Sequence, residues 1–175
     1  MKKISLAVFA FSLFIALISS CKKETTPSVD FSTYVATNEE CVVTGTPDST
    51  QWTNSVLSRQ TDTALLTFID NIVITDSLTG PITINPPCPN PSNGFFIWNI
   101  NPTQQCKLRL VCVNTAYDVV YYNAYGLSGG PITLGFDFRS ISTFHTDSSY
   151  RIYYGFYNAN DSLYISGHGD IKIQQ

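Results

Sequence analysis

Over residues 150–156 the even positions are Tyr150, Ile152, Tyr154 and Phe156, while the odd ones include Arg151 and Gly155. A period of two marks a half-buried β-strand, because successive side chains leave a strand on opposite faces. Short runs of the same kind recur along the chain. Those at 95–100 and 106–113 are strong, and others stand at 41–44, 51–57, 64–69, 71–75, 82–85, 117–125, 132–138, 150–157, 162–166 and 171–173. Turn residues separate them. No segment carries a clear helical stripe, although 57–70 leaves room for a short helix. About 8–10 short strands predict an all-β antiparallel architecture, either an immunoglobulin-like β-sandwich or a lipocalin-like barrel. The immunoglobulin pattern asks for Cys, Trp and Cys in that order. Cys41, Trp52 and Cys112 supply the order, with a long second interval.

The start of the chain has another character. Met1-Lys2-Lys3 is charged, 4–18 is apolar except for Ser5 and Ser12, and Ser19-Ser20-Cys21 follows. A membrane span needs about 20 apolar residues, and Lys22, Lys23 and Glu24 stop this run too early. A charged start, a short apolar core and small residues before a cleavage point make a secretory signal over 1–20. Ile18-Ser19-Ser20-Cys21 also resembles the lipobox of bacterial lipoproteins. The resemblance implies cleavage before Cys21, a diacylglycerol thioether on Cys21 and acylation of the new amino terminus. Several acyl chains give a firm anchor, since each buried CH₂ contributes about 0.8 kcal/mol. The membrane is therefore an expected partner, through the lipid at Cys21. Position 22 is Lys rather than the Asp that commonly retains lipoproteins in the inner membrane. Lys22-Lys23-Glu24 is loosely similar to the surface-export tag of Bacteroidota lipoproteins. Both point to the outer membrane, at its periplasmic face or at the cell surface.

Residues 21–38 are polar at the start and aperiodic, and predict a lipidated cysteine with a flexible tether; 39–175 is then one β-domain. Lys2 and Lys3 leave with the signal, so eight basic residues face 13 acids and the mature net charge is −5. No basic face exists for nucleic acid. In an oxidising compartment the even set Cys41, Cys88, Cys106 and Cys112 predicts two disulfides. Cys106 and Cys112 end one strand, roughly 20 Å apart. A disulfide needs Cα atoms within about 7 Å, so these two should not join each other. Two pairings remain: Cys88–Cys106 with Cys41–Cys112, which is favoured because 88 and 106 flank one excursion, or Cys88–Cys112 with Cys41–Cys106. No Cys-x-x-Cys pair and no neighbouring His supports zinc, so no metal or other cofactor is expected.

Gly126-Leu127-Ser128-Gly129-Gly130 satisfies the nucleophile-elbow pattern and resembles the serine loop of trypsin-like proteases, with Leu127 where that family has Asp. An elbow needs a helix after its serine, and 132–138 reads as strand. The trypsin-like order places His and Asp before Ser, whereas His145 and His168 both follow Ser128. Ser128 thus reads as part of a glycine-rich hairpin turn, with a small hydrolase as the lesser alternative. Two His-x-Asp triplets, His145/Asp147 and His168/Asp170, read as exposed turn residues. The four-proline segment 85–94 cannot supply ladder donors and should lie outside the sheets. Pinned at Cys88, it would be a stapled connection or a presented recognition loop. Asp48-Ser49, Asp62-Thr63, Asp76-Ser77 and Asp161-Ser162 each precede Thr, Ala or Leu and resemble the O-glycosylation sequon of Bacteroidota. That resemblance makes Ser49, Thr63, Ser77 and Ser162 candidate sites. Tyr121-Tyr122 and Tyr153-Tyr154 put one ring on each face of a strand, so some aromatics are free to build a surface. The expectation is a non-enzymatic, lipid-anchored binding module for a small molecule, glycan or protein, with a structural or assembly lipoprotein as the alternative. An enclosed aromatic cavity would favour a small apolar ligand; a filled sandwich would favour surface recognition or a structural role.

Overall fold

The computed structural model describes residues 27–54, 56–75 and 77–174. The signal segment 1–20, Cys21 and the export-tag residues 22–24 lie outside the described residues. Among the described residues one short helix, α1 (Gln60–Leu65), precedes seven strands: β1 (Ile82–Ile84), β2 (Phe95–Pro102), β3 (Cys106–Val113), β4 (Val119–Leu127), β5 (Ile132–Asp137), β6 (Ser148–Tyr157) and β7 (Leu163–Ile173). They form two antiparallel sheets, ordered β1-β2-β5 and β4-β3-β6-β7. The expected sandwich is present and the barrel is not. The strand order is that of an immunoglobulin-like sandwich whose fourth strand has joined the second sheet. A tyrosine corner accompanies it: the Tyr150 hydroxyl at the start of β6 accepts from the His145 amide at 2.6 Å and donates to the Thr143 carbonyl at 3.4 Å.

Seven strands replace the eight to ten expected. Residues 51–57 and 71–75 hold no strand among the described residues, and 41–44 contributes only the bridge Thr37↔Val43. Part of the expected strand 64–69 is α1. The runs 162–166 and 171–173 merge into β7, because Gly167 and Gly169 are not turn residues. A Cβ on Gly169 would stand 2.0 Å from the Trp52 indole, and one on Gly167 would stand 2.5 Å from the Thr53 carbonyl and the Tyr154 hydroxyl. These glycines admit neighbours that any side chain would exclude.

Alternation builds the core. Phe96, Trp98 and Ile100 of β2 pack against Leu108 and Leu110 of β3 and Ile152, Tyr154 and Phe156 of β6. Immunoglobulin domains of antibodies place a disulfide between the second and sixth strands. Here Trp98 and Tyr154 stand at that place with ring centroids 5.2 Å apart. Trp52 enters from the segment before the strands and stacks on Tyr154 at 6.0 Å. Its main-chain amide donates to the His168 carbonyl at 2.8 Å, which closes the sandwich along β7.

The other face of the four-stranded sheet is covered as well. Val111, Val113, Tyr153 and Tyr157 pack under Val29, Leu57 and Leu66. The tether expected to run through residue 38 is therefore shorter: Val29, Val35 and Thr37 are buried. β3 is buried along its whole length, including Lys107 and Arg109. Lys107 Nζ lies 3.0 Å from both Asp70 and Asp161, and Arg109 lies 2.6 and 2.9 Å from the same two carboxylates. Burial pushes the Asp70 carboxyl up, but hydrogen bonds from Arg109 and Lys107 outweigh it and hold the group below its ordinary range. Such pairing is what allows charge under a covered sheet.

The disulfide expectation needs correction. Cys41 bonds Cys88, with Cα atoms 5.0 Å apart, while Cys106 and Cys112 are buried free thiols. The two β3 cysteines do stay unjoined, as strand length requires. Neither reaches Cys41 or Cys88, because both point into the core between the sheets. Trp52 fills the core without the predicted Cys41–Cys112 bridge. Burial holds the Cys106 thiol up at about 12 and Cys112 well above its ordinary value, so both act as small core hydrophobes.

Candidate recognition rim

Three clefts line one end of the sandwich, where the β1–β2, β3–β4 and β5–β6 connections meet. The first, of about 440 Å³, is lined by Phe31, Asn114, Thr143, His145, Asp147 and Ser149 among others. The second, of about 670 Å³, lies between Asn38 and Glu39 on one side and Pro89, Pro91 and Phe95 on the other. The third, of about 370 Å³, holds Arg139, Phe144 and Thr146. Asn93 and Gln174 line both the second and the third. The β5–β6 connection then carries the rim on to His145 and Asp147. Hydroxyls, amides and a few rings dominate the lining. Arg139 lies 2.6 Å from Asp137, and its hydrogen bond holds that carboxyl down at about 2. The same guanidinium sits 5.6 Å over the exposed Phe95 ring.

The four-proline segment forms a wall of this rim, and of its two readings it is the stapled connection, pinned by the Cys41–Cys88 disulfide, rather than a projecting loop. Cys88 exchanges two 2.8 Å main-chain bonds with Ile97 on β2, and Asn90 exchanges two with Thr37. The Ser92 amide donates to Lys172 O at 2.9 Å on β7. The buried Asn90 side chain donates to the carbonyls of Val35 and Asp170 and accepts from the Lys172 amide, each at 2.9 Å. One side chain thus ties the leading segment, the proline segment and β7 together. Pro89 and Pro91 alternate with these bonded residues and face the second cleft.

The remaining candidate residues scatter. Ser128 is exposed in the connection from β4 to β5, beside Gly129 and Gly130 with positive φ. This is no hairpin: β4 and β5 belong to different sheets, and glycine serves the crossover. Ser128 lies at the opposite end from His145. His145 and Asp147 are exposed turn residues, as expected. His168 and Asp170 are not. Both lie inside β7, opposite Tyr153 and Arg151. Asp170 is buried, takes two bonds from Arg151 at 2.6 and 2.8 Å and one from Gln51 at 3.2 Å. Burial raises its carboxyl, and the Arg151 bonds oppose that rise. Of the sequon residues, Ser49, Ser77 and Ser162 are exposed, while Thr63 is half-buried in α1 with its hydroxyl 3.4 Å from the Arg59 carbonyl.

A second polar cluster gave no sequence signal. Asp62 of α1 is buried, bonded by Arg59 at 2.9 Å and by the Tyr117 hydroxyl, and Arg59 also reaches the Tyr153 hydroxyl at 3.1 Å. Each polar atom named here has a partner within the chain, so the cluster clamps α1 onto the sheet. Among the described residues no group of three or more His, Cys, Asp or Glu is placed to hold a metal ion.

No family model and no curated protein matches the chain. Among solved structures it is similar to catalytically inactive OgpA from Akkermansia muciniphila, solved in complex with an O-glycopeptide (glycodrosocin) substrate. The identity is 18%, the TM-score is 0.32, and the match covers 46% of this chain and 25% of that one. A likeness of that extent carries no functional argument.

Proposed function

We propose that the chain is a lipid-anchored, non-catalytic envelope protein that recognises a hydroxyl-rich ligand, such as a glycan, at the rim of clefts. The observation that carries this reading is where the space lies. The interior between the sheets is filled by Trp52, Trp98, Tyr154 and Phe156, whereas the three clefts of the rim gather at one end of the surface. Their lining of hydroxyls and amides, with Glu39, Asp147 and Arg139 among them, beside Phe31, Phe95 and Phe144 suits hydroxyl-rich groups that also present apolar faces. The anchor reading rests on the small-small-Cys end of the signal. The non-catalytic reading is supported by the distance of Ser128 from His145, at opposite ends of the sandwich.

Three measurements test it. Metabolic palmitate should label the wild type and not Cys21→Ala; label entering the variant removes the anchor. Gels cast with soluble neutral polysaccharides should retard the mature domain, and Thr143→Arg, which fills the first cleft, should restore free migration. A wild type that migrates freely through the whole panel, or is labelled by a fluorophosphonate at Ser128, ends the recognition reading.

A further inference from the structure

Among the described residues β4 is the outermost strand of its sheet and pairs only with β3. Alternate residues of an antiparallel strand turn their main-chain groups to opposite sides. One hydrogen bond shows which residues of the regular stretch face out: the Ala124 amide donates to Asn123 Oδ1 at 2.8 Å, while at the bulge the Val120 carbonyl is already taken by the Thr143 hydroxyl at 3.1 Å. Tyr122 and Gly126 share that phase and turn their amides and carbonyls toward the open edge. The outer strand β5 is only six residues long, follows Pro131 and ends in the exposed Asp137–Arg139 ion pair, while β7 and β1 are covered. Trp52 bonds along β7, Ser92 bridges Ile173, and the Asn54 amide donates to the Ile82 carbonyl on β1. Natural edge strands refuse partners with charges, prolines or bulges. Val119–Leu127 contains no charge and no proline, and its one irregularity is the bulge at Val120, which leaves 121–127 regular. An apolar strip flanks it: Tyr122 is 62% exposed, Ile69 94% and Val73 85%. The Phe68 ring stands 5.1 Å from Tyr122 beside a cleft of about 280 Å³.

We propose that β4 pairs with β4 of a second copy, antiparallel about a two-fold axis at Asn123, joining two four-stranded sheets into one of eight strands. The register argues for a second copy. With Asn123 opposite Asn123 of the partner copy, Tyr122 meets Ala124 on the outer face, a large side chain beside a small one, and the bulge at Val120 lies outside these central pairs. Charge argues the same way. The mature chain is net negative, and this uncharged strip lets two copies meet without like-charge repulsion.

Nine residues span about 30 Å, and a strip about 13 Å wide buries on the order of 800 Å² in total. A standard interface buries about 1,200–2,000 Å². Pairing is therefore weak in dilute solution and gains strength where copies are concentrated, and there the inference rests on the anchor reading. The tether geometry allows it. Cys21 stands eight residues before Val29, a reach of about 28 Å at most. Val29 packs on the outer face of the four-stranded sheet, and the two-fold axis runs perpendicular to that face, so both tethers leave on the same side.

Directly opposed residues at a non-hydrogen-bonded site hold Cβ atoms about 4.5–5.5 Å apart, close enough for a disulfide after small adjustment. The test is Asn123→Cys in the full chain in its own membranes, treated with a mild oxidant. A covalent dimer is expected, with none from the wild type or from Thr83→Cys on the exposed β1. Adding Tyr122→Lys to Asn123→Cys should abolish the dimer while the melting temperature stays that of a folded domain. No dimer from membranes holding palmitate-labelled Asn123→Cys protein overturns the pairing, as does an equal yield from Thr83→Cys. Should the chain carry no palmitate, the same variant in Cys21→Ala protein at millimolar concentration decides the pairing by itself: a dimer supports it and its absence overturns it.

Discussion

His168 sits on the covered face of β7 with its ring 6.0 Å from Tyr153. Burial, and then the positive charge of Arg151, lower its pKa from the ordinary 6.5. The sign follows from linkage. A group whose folded pKa is depressed contributes stability that is complete above the unfolded value and lost as pH falls below it, because the unfolded chain takes the proton first. The urea midpoint should therefore fall between about pH 7 and pH 5, and His168→Gln should narrow that fall. A fall of the same size in the variant would assign the pH dependence to other groups. His168 shows what the sequence hides at this scale. A histidine two residues before an aspartate, with glycines between and beside them, reads as a turn. The glycines instead make room for Trp52 and Tyr154, residues distant in sequence.

At the scale of elements, β3 was legible to its last residue and its chemistry was not. Periodicity marks a strand without regard to what covers it. Lys107 and Arg109 are buried because Asp70 and Asp161, brought over from two connections, pair with them. The cysteines went astray for a related reason. Strand length correctly kept Cys106 from Cys112, yet an even count says nothing of which thiols stand alone in the core. The tyrosine corner at Tyr150 could have been sought, since a tyrosine at the start of a late strand is its signature. α1 falls within 57–70, where the sequence leaves room for a short helix beside the strand reading of 64–69, because six residues carry too little periodicity to decide between them. The disulfide has a direct consequence. In the mature domain, iodoacetamide should reach Cys106 and Cys112 only after denaturation, and Cys41 and Cys88 only after reduction as well. Closing a 47-residue separation stabilises by about 4 kcal/mol in the chain-entropy account, so reduction should lower the unfolding free energy by that order. Peptides linking Cys106 or Cys112 to either other cysteine would contradict this arrangement.

The molecule as a whole is a seven-stranded sandwich wrapped by the residues that precede its first strand, and Trp52 is where wrap and sandwich become one core. Its ring lies against Trp98 and Tyr154 and directly over Gly169. Removing such a ring costs about 3–5 kcal/mol. The glycine beneath it tests whether the ring's place depends on that gap. In the wild type, Gly169→Ala would push a methyl to 2.0 Å from the indole, nearer than real contacts allow, so the ring or β7 must move, at a cost of about 1–3 kcal/mol. In a Trp52→Ala background the obstacle is gone, and the same substitution should cost little. The double-mutant cycle measured by denaturant unfolding should therefore show strong coupling, with the pair much less destabilised than the sum of the single changes. Equal costs of Gly169→Ala in the two backgrounds would mean that the wrap and the sandwich are stabilised independently, and that Trp52 does not join them.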